Sequence, residues 1–474
     1  MAALPNSESP CSSDFQKITD AFLAREGLPF ADLLSAERIA EVFAKHRNLF
    51  GLGAVYSTAV MVWSFLGQVL RDGKEASCQS AVARVVTYCI QRGEQPPTSD
   101  TGDYCRARAK LSEQALHELA AAIAADVESA ADPSWLWKGM HAKLVDGFTF
   151  NMPDTPKNQA EYPQQKGQKP GCGFPVARAV AIVSLATACV MDAAIGPYQG
   201  KQTGETALLR SLLWRFTKGD VAVMDRYYCS FMMIAALVGQ GAQVCARKHH
   251  LRHSDFRRGM RLGKYDHQIL WERPQRPKWM DVETYQLIPP TLILREIRYW
   301  VVEKGRRTKS LTVITTLLAP RQYDKQSIAD LYGFRWNAET DIGHIKTSLN
   351  PWQVRCKSPQ MVRRELWATL LAYNLIRTTA AGAAFVHQKL PRQISFTNTC
   401  QYLLSTWMLT AAGQLSAATF SLQMEIALQH IARCEVANRP GRQEPRVLKR
   451  RPKQYDLMQK PRNVPRTEIA KGCT

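Results

Sequence analysis

Four side chains near residue 340 have types and spacing that suit the handling of phosphate groups. Tyr332, Arg335 and Lys346 stand at offsets of −7, −4 and +7 from Glu339. At about 3.6 residues per turn these offsets fall on one face of a helix. On that face Glu339 could hold a cation and Tyr332 could donate a hydrogen bond or stack. Arg335 could bind phosphate as a planar fork, and Lys346 as a point charge. The alternative is a solvent-exposed stripe in which Arg335 and Glu339 form an i,i+4 ion pair.

Two aspartates elsewhere favour the cation-holding interpretation. Asp146 lies inside the apolar run KLVDGFTF, and Asp225 comes at the end of the apolar strand in DVAVMDRYY. A carboxylate in a buried strand is costly unless it is paired or bound to a metal. Two strands and one helix could therefore bring Asp146, Asp225 and Glu339 around a pair of divalent ions, for which oxygen ligands favour magnesium or manganese. Two such ions clamp the attacking and leaving oxygens of an in-line phosphoryl transfer.

The segment that holds both aspartates alternates strands and helices. Hydrophobic patterning predicts strands at 143–152, twice within 174–198, at 220–228 and at 242–250, with helices at 204–216 and 230–240. This order, β-β-β-α-β-α-β, is typical of an α/β core. Residues 251–320 interrupt the alternation and predict an antiparallel β insertion with a hairpin turn at 304–307. Residues 321–349 return to helix.

Helical segments flank this core on both sides. Residues 14–130 show repeated three-to-four apolar spacing, with capping serines at Ser35 and Ser77 and a loop at 95–104. Basic side chains on these helices give either a DNA-binding face or an ordinary solvated surface. Residues 359–435 are again helical. The tail from 438 is rich in proline, arginine and lysine and predicts an irregular segment that either binds phosphate backbones or aids solubility.

The composition favours a polyanionic partner. Lysine and arginine total 62 against 41 acidic residues, which gives a formal net charge of +21 and a pI near 9.6, and nucleic acid is the partner such an excess most often serves. The twelve cysteines form no C-x-x-C pair, which argues against a zinc ribbon or finger. Charged or polar residues interrupt the most apolar stretches, 176–198 and 366–386, so we expect no membrane span and a cytoplasmic protein.

The chemistry-bearing residues also form a recognisable signature. The pattern Tyr332-x2-Arg335-x3-Glu339-x6-Lys346 resembles the Y-R-E-K signature of the insertion-sequence-4 family of bacterial DDE transposases. Asp146 in VDGFTFNMPDT resembles the first-aspartate block of that family. The run DRYY that begins at Asp225 resembles the second. The resemblance extends over about residues 30–465.

The resemblance implies a fold and a reaction. The fold would be a ribonuclease H-like core with a β insertion, flanked by N-terminal and C-terminal helical domains. Asp146, Asp225 and Glu339 would be catalytic and would ligate Mg²⁺, for which Mn²⁺ can substitute. Family members cut the 3′ ends of their element at terminal inverted repeats, in some cases through hairpin ends, and join them to target DNA. The DNA contacts implied by the resemblance are Arg226, Tyr332, Arg335 and Lys346.

The same resemblance predicts how the chain is organised and where it works. The expected divisions are an N-terminal helical DNA-binding domain at 1–134, the core at 135–358, a C-terminal helical domain at 359–437 and a basic tail at 438–474. A homodimer would bridge two double-stranded DNA ends, in association with the bacterial nucleoid. The rival functions are an inactive DNA-binding remnant or inhibitor, and a nuclease of the same fold. The tryptophan that would stack a flipped base stays open among Trp271, Trp279, Trp300 and Trp336.

Overall fold

The computed structural model covers most of the chain. It describes residues 34–51, 54–91, 93, 95–301, 309–348, 354–411, 417–436 and 458–471. The predicted first helix at 14–27 and the predicted hairpin turn at 304–307 lie outside these residues.

A single nine-stranded sheet forms the centre of the molecule. Its strands in chain order are β1 (His141–Asn151), β2 (Val176–Ser184), β3 (Val190–Pro197), β4 (Asp220–Met224), β5 (Gln243–Arg247), β6 (Met260–Gly263), β7 (Asp266–Glu272), β8 (Thr291–Val301) and β9 (Lys309–Thr315). Their order across the sheet is β3-β2-β1-β4-β5-β9-β8-β7-β6. The five strands expected from the patterning of residues 143–250 are all present.

The first five strands give the sheet its ribonuclease H-like character. β1, β2 and β3 pair antiparallel, whereas β4 lies parallel to β1 and β5 lies parallel to β4. The crossover from β4 to β5 runs through a short apolar helix, α8 (Phe231–Gly239). An antiparallel meander extended by two parallel strands in the order 3-2-1-4-5 is the core that the family resemblance implies. The predicted fold class is confirmed.

The insertion extends the same sheet. β9 pairs antiparallel with β5, and β8, β7 and β6 follow in antiparallel order. Two buried ion pairs hold this extension: the Arg295 guanidinium donates to both oxygens of Asp266 at 2.8 and 2.6 Å, and Lys248 donates to Glu296 at 2.8 Å. Such pairs hold their geometry because an uncompensated buried charge would be very costly. The predicted antiparallel insertion is thus present as a continuation of the core.

Helices cover the sheet from both ends of the chain. They are α1 (Ala36–Lys45), α2 (Thr58–Val69), α3 (Cys78–Gln91), α4 (Thr101–Lys110), α5 (Glu113–Ser129), α6 (Pro156–Glu161), α7 (Glu205–Arg210), α9 (Val282–Leu287), α10 (Lys325–Gly333), α11 (Trp336–Ser348), α12 (Pro359–Val386), α13 (Phe396–Ala411), α14 (Ala417–Arg433) and α15 (Asn463–Ala470). The serines expected as caps accept backbone N–H groups, Ser35 from Arg38 and Ser77 from Ser80.

Three sequence-based boundaries differ from the structure. The loop expected at 95–104 ends early because Asp100 accepts the N–H of Gly102 and so caps α4. The helix expected at 204–216 is only α7 followed by a 3-10 turn. Part of the tail expected to be irregular forms α15, where Lys460 pairs with Glu468 at 2.9 Å. Residues 437–457 of the tail lie outside the described residues.

The long helix α12 joins the flanking helices to the core. It has 28 residues, most of which are buried. Asn374, one of the polar residues that interrupt its apolar run, donates to the carbonyls of Ala120 on α5 and Val190 on β3, both at 2.9 Å, and accepts the Val190 N–H at 2.8 Å. One buried amide therefore ties together an N-terminal helix, a C-terminal helix and the sheet. Within the described ranges, no helix is long and apolar enough to cross a membrane.

Replacing Asn374 should destabilise this junction. Asn374→Ala leaves the N–H and C=O of Val190 and the C=O of Ala120 without this partner, and we expect a loss of about 3 kcal/mol in the free energy of unfolding. Urea denaturation followed by circular dichroism measures it. Gln360→Ala, an exposed amide on the same helix, is the matched control and should change stability by less than about 0.5 kcal/mol. Equal losses in both variants would contradict the role of Asn374.

Candidate active site

The two aspartates reach the same place through strand register. β1 and β4 are parallel, and the last paired positions are Val145 and Met224. Asp146 and Asp225 are the next residues along each strand, so they lie side by side at the carboxyl end of this strand pair. The residues just before them, Val145 and Met224, are fully buried, which explains why each carboxylate follows an apolar run in the sequence.

The segment that carries the other residues is not one helix. α10 ends at Gly333, and α11 begins at Trp336. In the break the Arg335 N–H donates to Tyr332 O at 3.1 Å, and the Ala338 N–H donates to Arg335 O at 3.0 Å. Both are hydrogen bonds from the N–H of residue i+3 to the carbonyl of residue i, as in a 3-10 turn. Gly333, just before the break, has a low helix propensity. The expectation of a single continuous helix face is therefore wrong.

The break nevertheless brings the expected side chains to the aspartates. The Tyr332 hydroxyl lies 3.4 Å from Asp225 Oδ1. Arg335 Nη2 lies 2.7 Å from Glu339 Oε1, and its Nη1 lies 3.6 Å from Asp146 Oδ2. One guanidinium thus bridges a carboxylate of the sheet and a carboxylate of α11. The i,i+4 pair of Arg335 and Glu339 exists, but it faces the aspartates and is not an isolated surface pair.

Lys346 and Arg226 border the same site. The Lys346 ammonium lies 5.5 Å from the centre of the Phe148 ring on β1. Burial lowers the pKa of Lys346, and the charge of Asp146 raises it. Arg226 begins the 3-10 turn after Asp225, and its guanidinium lies 5.5 Å from the centre of the exposed Tyr227 ring. Two cations therefore stand beside the two aspartates.

The electrostatics of Asp146 reflect the crowding of like charges. Burial raises the pKa of its carboxyl group to about 6. The Gly147 N–H, which donates to Asp146 at 2.9 Å, and the Arg335 guanidinium act against this rise. The carboxylates of Glu339 and Glu205 add to it. Asp146 is ionised at neutral pH, in a place where a further positive charge would be stabilised.

The oxygen donors present fit a hard divalent cation. Carboxylates are the ligands that Mg²⁺ and Mn²⁺ prefer. Here Asp146 and Glu339 share the Arg335 guanidinium, and Asp225 follows the strand that lies beside the strand of Asp146. Across the part of the chain that the structure describes, no three acidic, histidine or cysteine side chains form a ready-made metal-binding group. Arg335 stands between Asp146 and Glu339, so a cation held by these two carboxylates would compete with its guanidinium.

The tryptophans left open by the sequence differ in exposure. Trp271 is only 7% exposed and lies beneath the Arg252 guanidinium. Trp279 and Trp300 are partly exposed but already contact Arg210 and Tyr265. Trp336 is 62% exposed and follows Arg335 directly. Of the four, Trp336 is therefore the most exposed, and it is the one adjacent in the chain to Arg335.

The buried side of α11 was missed by sequence reasoning. Asp341, two residues after Glu339, is buried and accepts from Arg377 and Arg392, each at 2.8 Å. Arg392 also donates to the carbonyls of Ser184 and Leu185, where β2 ends. This three-residue cluster fixes the helix that carries Glu339. Its only signal in the sequence was a cation, Arg377, within an apolar helix.

A neutral histidine completes this anchor. Burial lowers the pKa of His344 to about 4, so its ring is uncharged and accepts from Arg377 at 3.1 Å. The ring also stacks on Phe396 at a centroid distance of 5.0 Å. His344 is therefore a packing partner of Arg377 on the side of α11 held by Asp341.

Comparison with known proteins agrees with this geometry. The family described as "Transposase DDE domain" matches residues 137–375, just over half of the chain, from before β1 into α12. The chain is a DDE transposase. It is 25% identical over 436 residues to "Transposase InsG for insertion sequence element IS4" of Escherichia coli K12, which covers 90% of this chain and 92% of that relative. The insertion-sequence-4 resemblance is thereby confirmed.

Two further similarities are more limited. The transposase is 26% identical over 106 residues to "Putative transposase InsZ" of Escherichia coli K12, which covers 22% of this chain and 34% of that one. Among solved structures it resembles the piggyBac transposase synaptic complex with hairpin DNA, with 10% identity, a TM-score of 0.44 and coverage of 88% of this chain and 84% of that chain.

Removing Asp341 should loosen α11, the helix of this transposase that carries Glu339. Asp341→Ala leaves two guanidinium groups without their shared carboxylate, and we expect a loss of about 3–5 kcal/mol in the free energy of unfolding, measured by urea denaturation. Asp330→Ala, an exposed aspartate on α10, should cost less than about 1 kcal/mol. A loss for Asp341→Ala as small as that of the control would show that the cluster does not hold α11.

Removing Arg335 should strengthen cation binding in the absence of DNA. Because its guanidinium pairs with Asp146 and Glu339, we expect Arg335→Ala to bind Mn²⁺ about tenfold more tightly, the factor that corresponds to one pKa unit of interaction. Isothermal titration calorimetry measures the affinity. Arg321→Ala, at an exposed arginine, should leave it unchanged. Weaker binding by Arg335→Ala would mean that this arginine supports the cation site instead of competing for it.

Proposed function

We propose that this transposase binds the terminal inverted repeats of its own element and moves the element by cut-and-paste phosphoryl transfer, with Asp146, Asp225 and Glu339 as its catalytic carboxylates. The observation that carries the proposal is the meeting of Asp146 with Glu339 through Arg335 and of Asp225 with Tyr332, across three separate segments. Carboxylates beside phosphate-binding cations are what an in-line transfer between phosphodiester bonds needs.

The three carboxylates would hold Mg²⁺, or Mn²⁺ in its place. When bound, a pair of such ions activates the attacking water or hydroxyl and neutralises charge on the leaving oxygen. Asp146 and Asp225 contribute from rigid, buried strands, and Glu339 contributes from a helix anchored by Asp341. Rigid support matters because a displacement of the reacting groups by about 1 Å can cost about a hundredfold in rate.

The cationic and phenolic side chains would hold the DNA. Arg335 can exchange its two carboxylate partners for a phosphate, which its planar fork binds with two parallel hydrogen bonds. Burial raises the pKa of Tyr332, so its hydroxyl stays protonated and remains a donor. Lys346 and Arg226 add positive charge on either side. The exposed ring of Trp336 offers a surface on which an unpaired base can stack.

The steps of the proposed reaction differ in which oxygen attacks the phosphorus atom. Water first cleaves the phosphodiester bond at the 3′ end of the element and leaves a 3′-hydroxyl. That hydroxyl then attacks the opposite strand, which closes a hairpin end, and after the hairpin is opened it attacks target DNA. Because the DNA supplies the nucleophile of each joining step, no covalent bond between protein and DNA is needed.

Recognition of the ends would use the N-terminal helices and the overall charge. The net charge of +21 favours a phosphate backbone through counterion release. Among the basic residues of the N-terminal helices, Lys45 is paired with Glu118 at 2.6 Å, whereas Arg47 and Lys110 are exposed. A homodimer would bring the two DNA ends of the element together. Leu422 and Ile426, exposed one turn apart on α14, offer an apolar patch for such an interface.

The test is cleavage of a labelled duplex that carries the terminal repeat of the element, in Mg²⁺, by the full chain and by Glu339→Ala. We expect cuts at the repeat boundary that disappear in the variant, while DNA binding in a mobility-shift assay persists. Glu283→Ala, at an exposed glutamate on α9, should cut like the parent chain. Binding without cutting by the parent chain, in either Mg²⁺ or Mn²⁺, would favour an inactive DNA-binding remnant.

A second readout separates transposition from simple hydrolysis. Incubation of the cut ends with a supercoiled plasmid should give joined products, because the freed 3′-hydroxyl attacks the target. Cutting without joined products would favour a nuclease of the same fold.

A further inference from the structure

A fourth acidic side chain lies against the strand that carries Asp146. Glu205, the first residue of α7, reaches the backbone of β1 at Gly147: a Cβ atom placed on Gly147 would lie 2.5 Å from Glu205 Cδ. The Glu205 side chain would have to shift to admit a Cβ atom at position 147, and its carboxyl group is held where it lies by the Tyr228 hydroxyl. Gly147 is the residue directly after Asp146, and this contact gives a physical reason for glycine there.

A buried tyrosine close in the chain to the second aspartate donates to the same carboxylate. The Tyr228 hydroxyl donates to Glu205 Oε2 at 3.1 Å. Tyr228 is buried and lies three residues after Asp225. Burial raises the pKa of Tyr228, and the charges of Glu205 and Asp146 act in the same direction. The phenol is therefore protonated and serves as a fixed donor to Glu205.

The charge of Glu205 has no compensating partner among the described residues. Tyr228 is the one hydrogen-bond donor that it has there, and no lysine or arginine of those residues pairs with it. A partly buried carboxylate beside other carboxylates raises the cost of its own charge and of theirs. A cation held nearby would remove that cost.

We propose that Glu205 is a positioning residue of the active site, whose negative charge strengthens the hold of Asp146, Asp225 and Glu339 on a divalent cation. Glu205 lies against Gly147, the residue after Asp146, and it is held there by Tyr228, whose backbone N–H donates to the Asp225 carbonyl. The inference rests on the proposed function, since it requires that the three carboxylates bind the cation. It predicts that the charge, and not merely the shape, of the side chain at 205 sets cation affinity.

The experiment is Mn²⁺ titration of the full chain without DNA, by calorimetry, for Glu205→Gln. Glutamine keeps an oxygen that accepts from Tyr228 and removes the charge, so the thermal midpoint should be unchanged while the affinity falls about tenfold. Glu283→Gln on α9 removes one acidic charge at an exposed position and should change nothing. Equal affinities for the two variants would overturn the role of Glu205.

An Asp146→Asn variant distinguishes a failure of the role proposed for Glu205 from a failure of the proposed function. Loss of Mn²⁺ binding in Asp146→Asn, together with normal binding in Glu205→Gln, would refute the role of Glu205 alone. Normal binding in Asp146→Asn would refute the proposed function itself.

A pair of variants tests the contact at Gly147. Gly147→Ala introduces the Cβ that would meet Glu205 and should lower the thermal midpoint, whereas Gly147→Ala combined with Glu205→Ala should recover it, because the obstructing carboxyl group is gone. The double variant should still bind Mn²⁺ as weakly as Glu205→Gln. Additive losses of stability in the pair, or recovery of Mn²⁺ affinity in the double variant, would contradict the proposal.

Discussion

Mutual repulsion between carboxylates is the constraint around which this site is built. Asp146, Asp225 and Glu339 come from segments far apart in the chain, and they meet where partial burial makes like charges costly to hold together. Two features of the structure offset this electrostatic repulsion. The parallel register of β1 and β4 fixes the two aspartates within a fully packed sheet, so they cannot move apart. The guanidinium of Arg335 stands between Asp146 and Glu339 and offsets part of their charge. An arrangement stabilised by a displaceable cation is also one that a different cation can enter.

The helix that carries Glu339 depends on arginine–carboxylate pairs on two sides. One side of α11 presents Glu339 to Arg335, and the other buries Asp341 between Arg377 and Arg392. The two pairs differ in exposure: Glu339 is 37% exposed, whereas Asp341 is 1% exposed. The buried pair therefore keeps its partners, while the open pair can change them. This division allows one short helix to be fixed in position and still carry a reactive side chain.

Sequence reasoning recovered the elements whose signals are local. Apolar runs that contain or precede an aspartate located β1 and β4, and the capping serines located α1 and α3, because strand patterning and capping act over a few residues. The break between Gly333 and Trp336 was missed because the polar residues keep helical spacing across it. Asn374 and Arg377 were noticed only as interruptions of an apolar run, since their partners lie up to 254 residues away in the chain. Glu205 gave no signal of its own, because its place beside Asp146 depends on a contact between α7 and a glycine on β1.

The position of α12 determines whether a chain that ends before this helix could fold stably. This helix is packed against α5 on one side and the end of the sheet on the other, and the arginine that holds the catalytic helix comes from within it. A reading frame that stops before residue 359 would therefore encode N-terminal helices with an uncovered apolar face. Such a product would expose to solvent the apolar surface that α12 buries in the full chain. Loss of α12 would also remove Arg377, which pairs with Asp341 on the helix that carries Glu339.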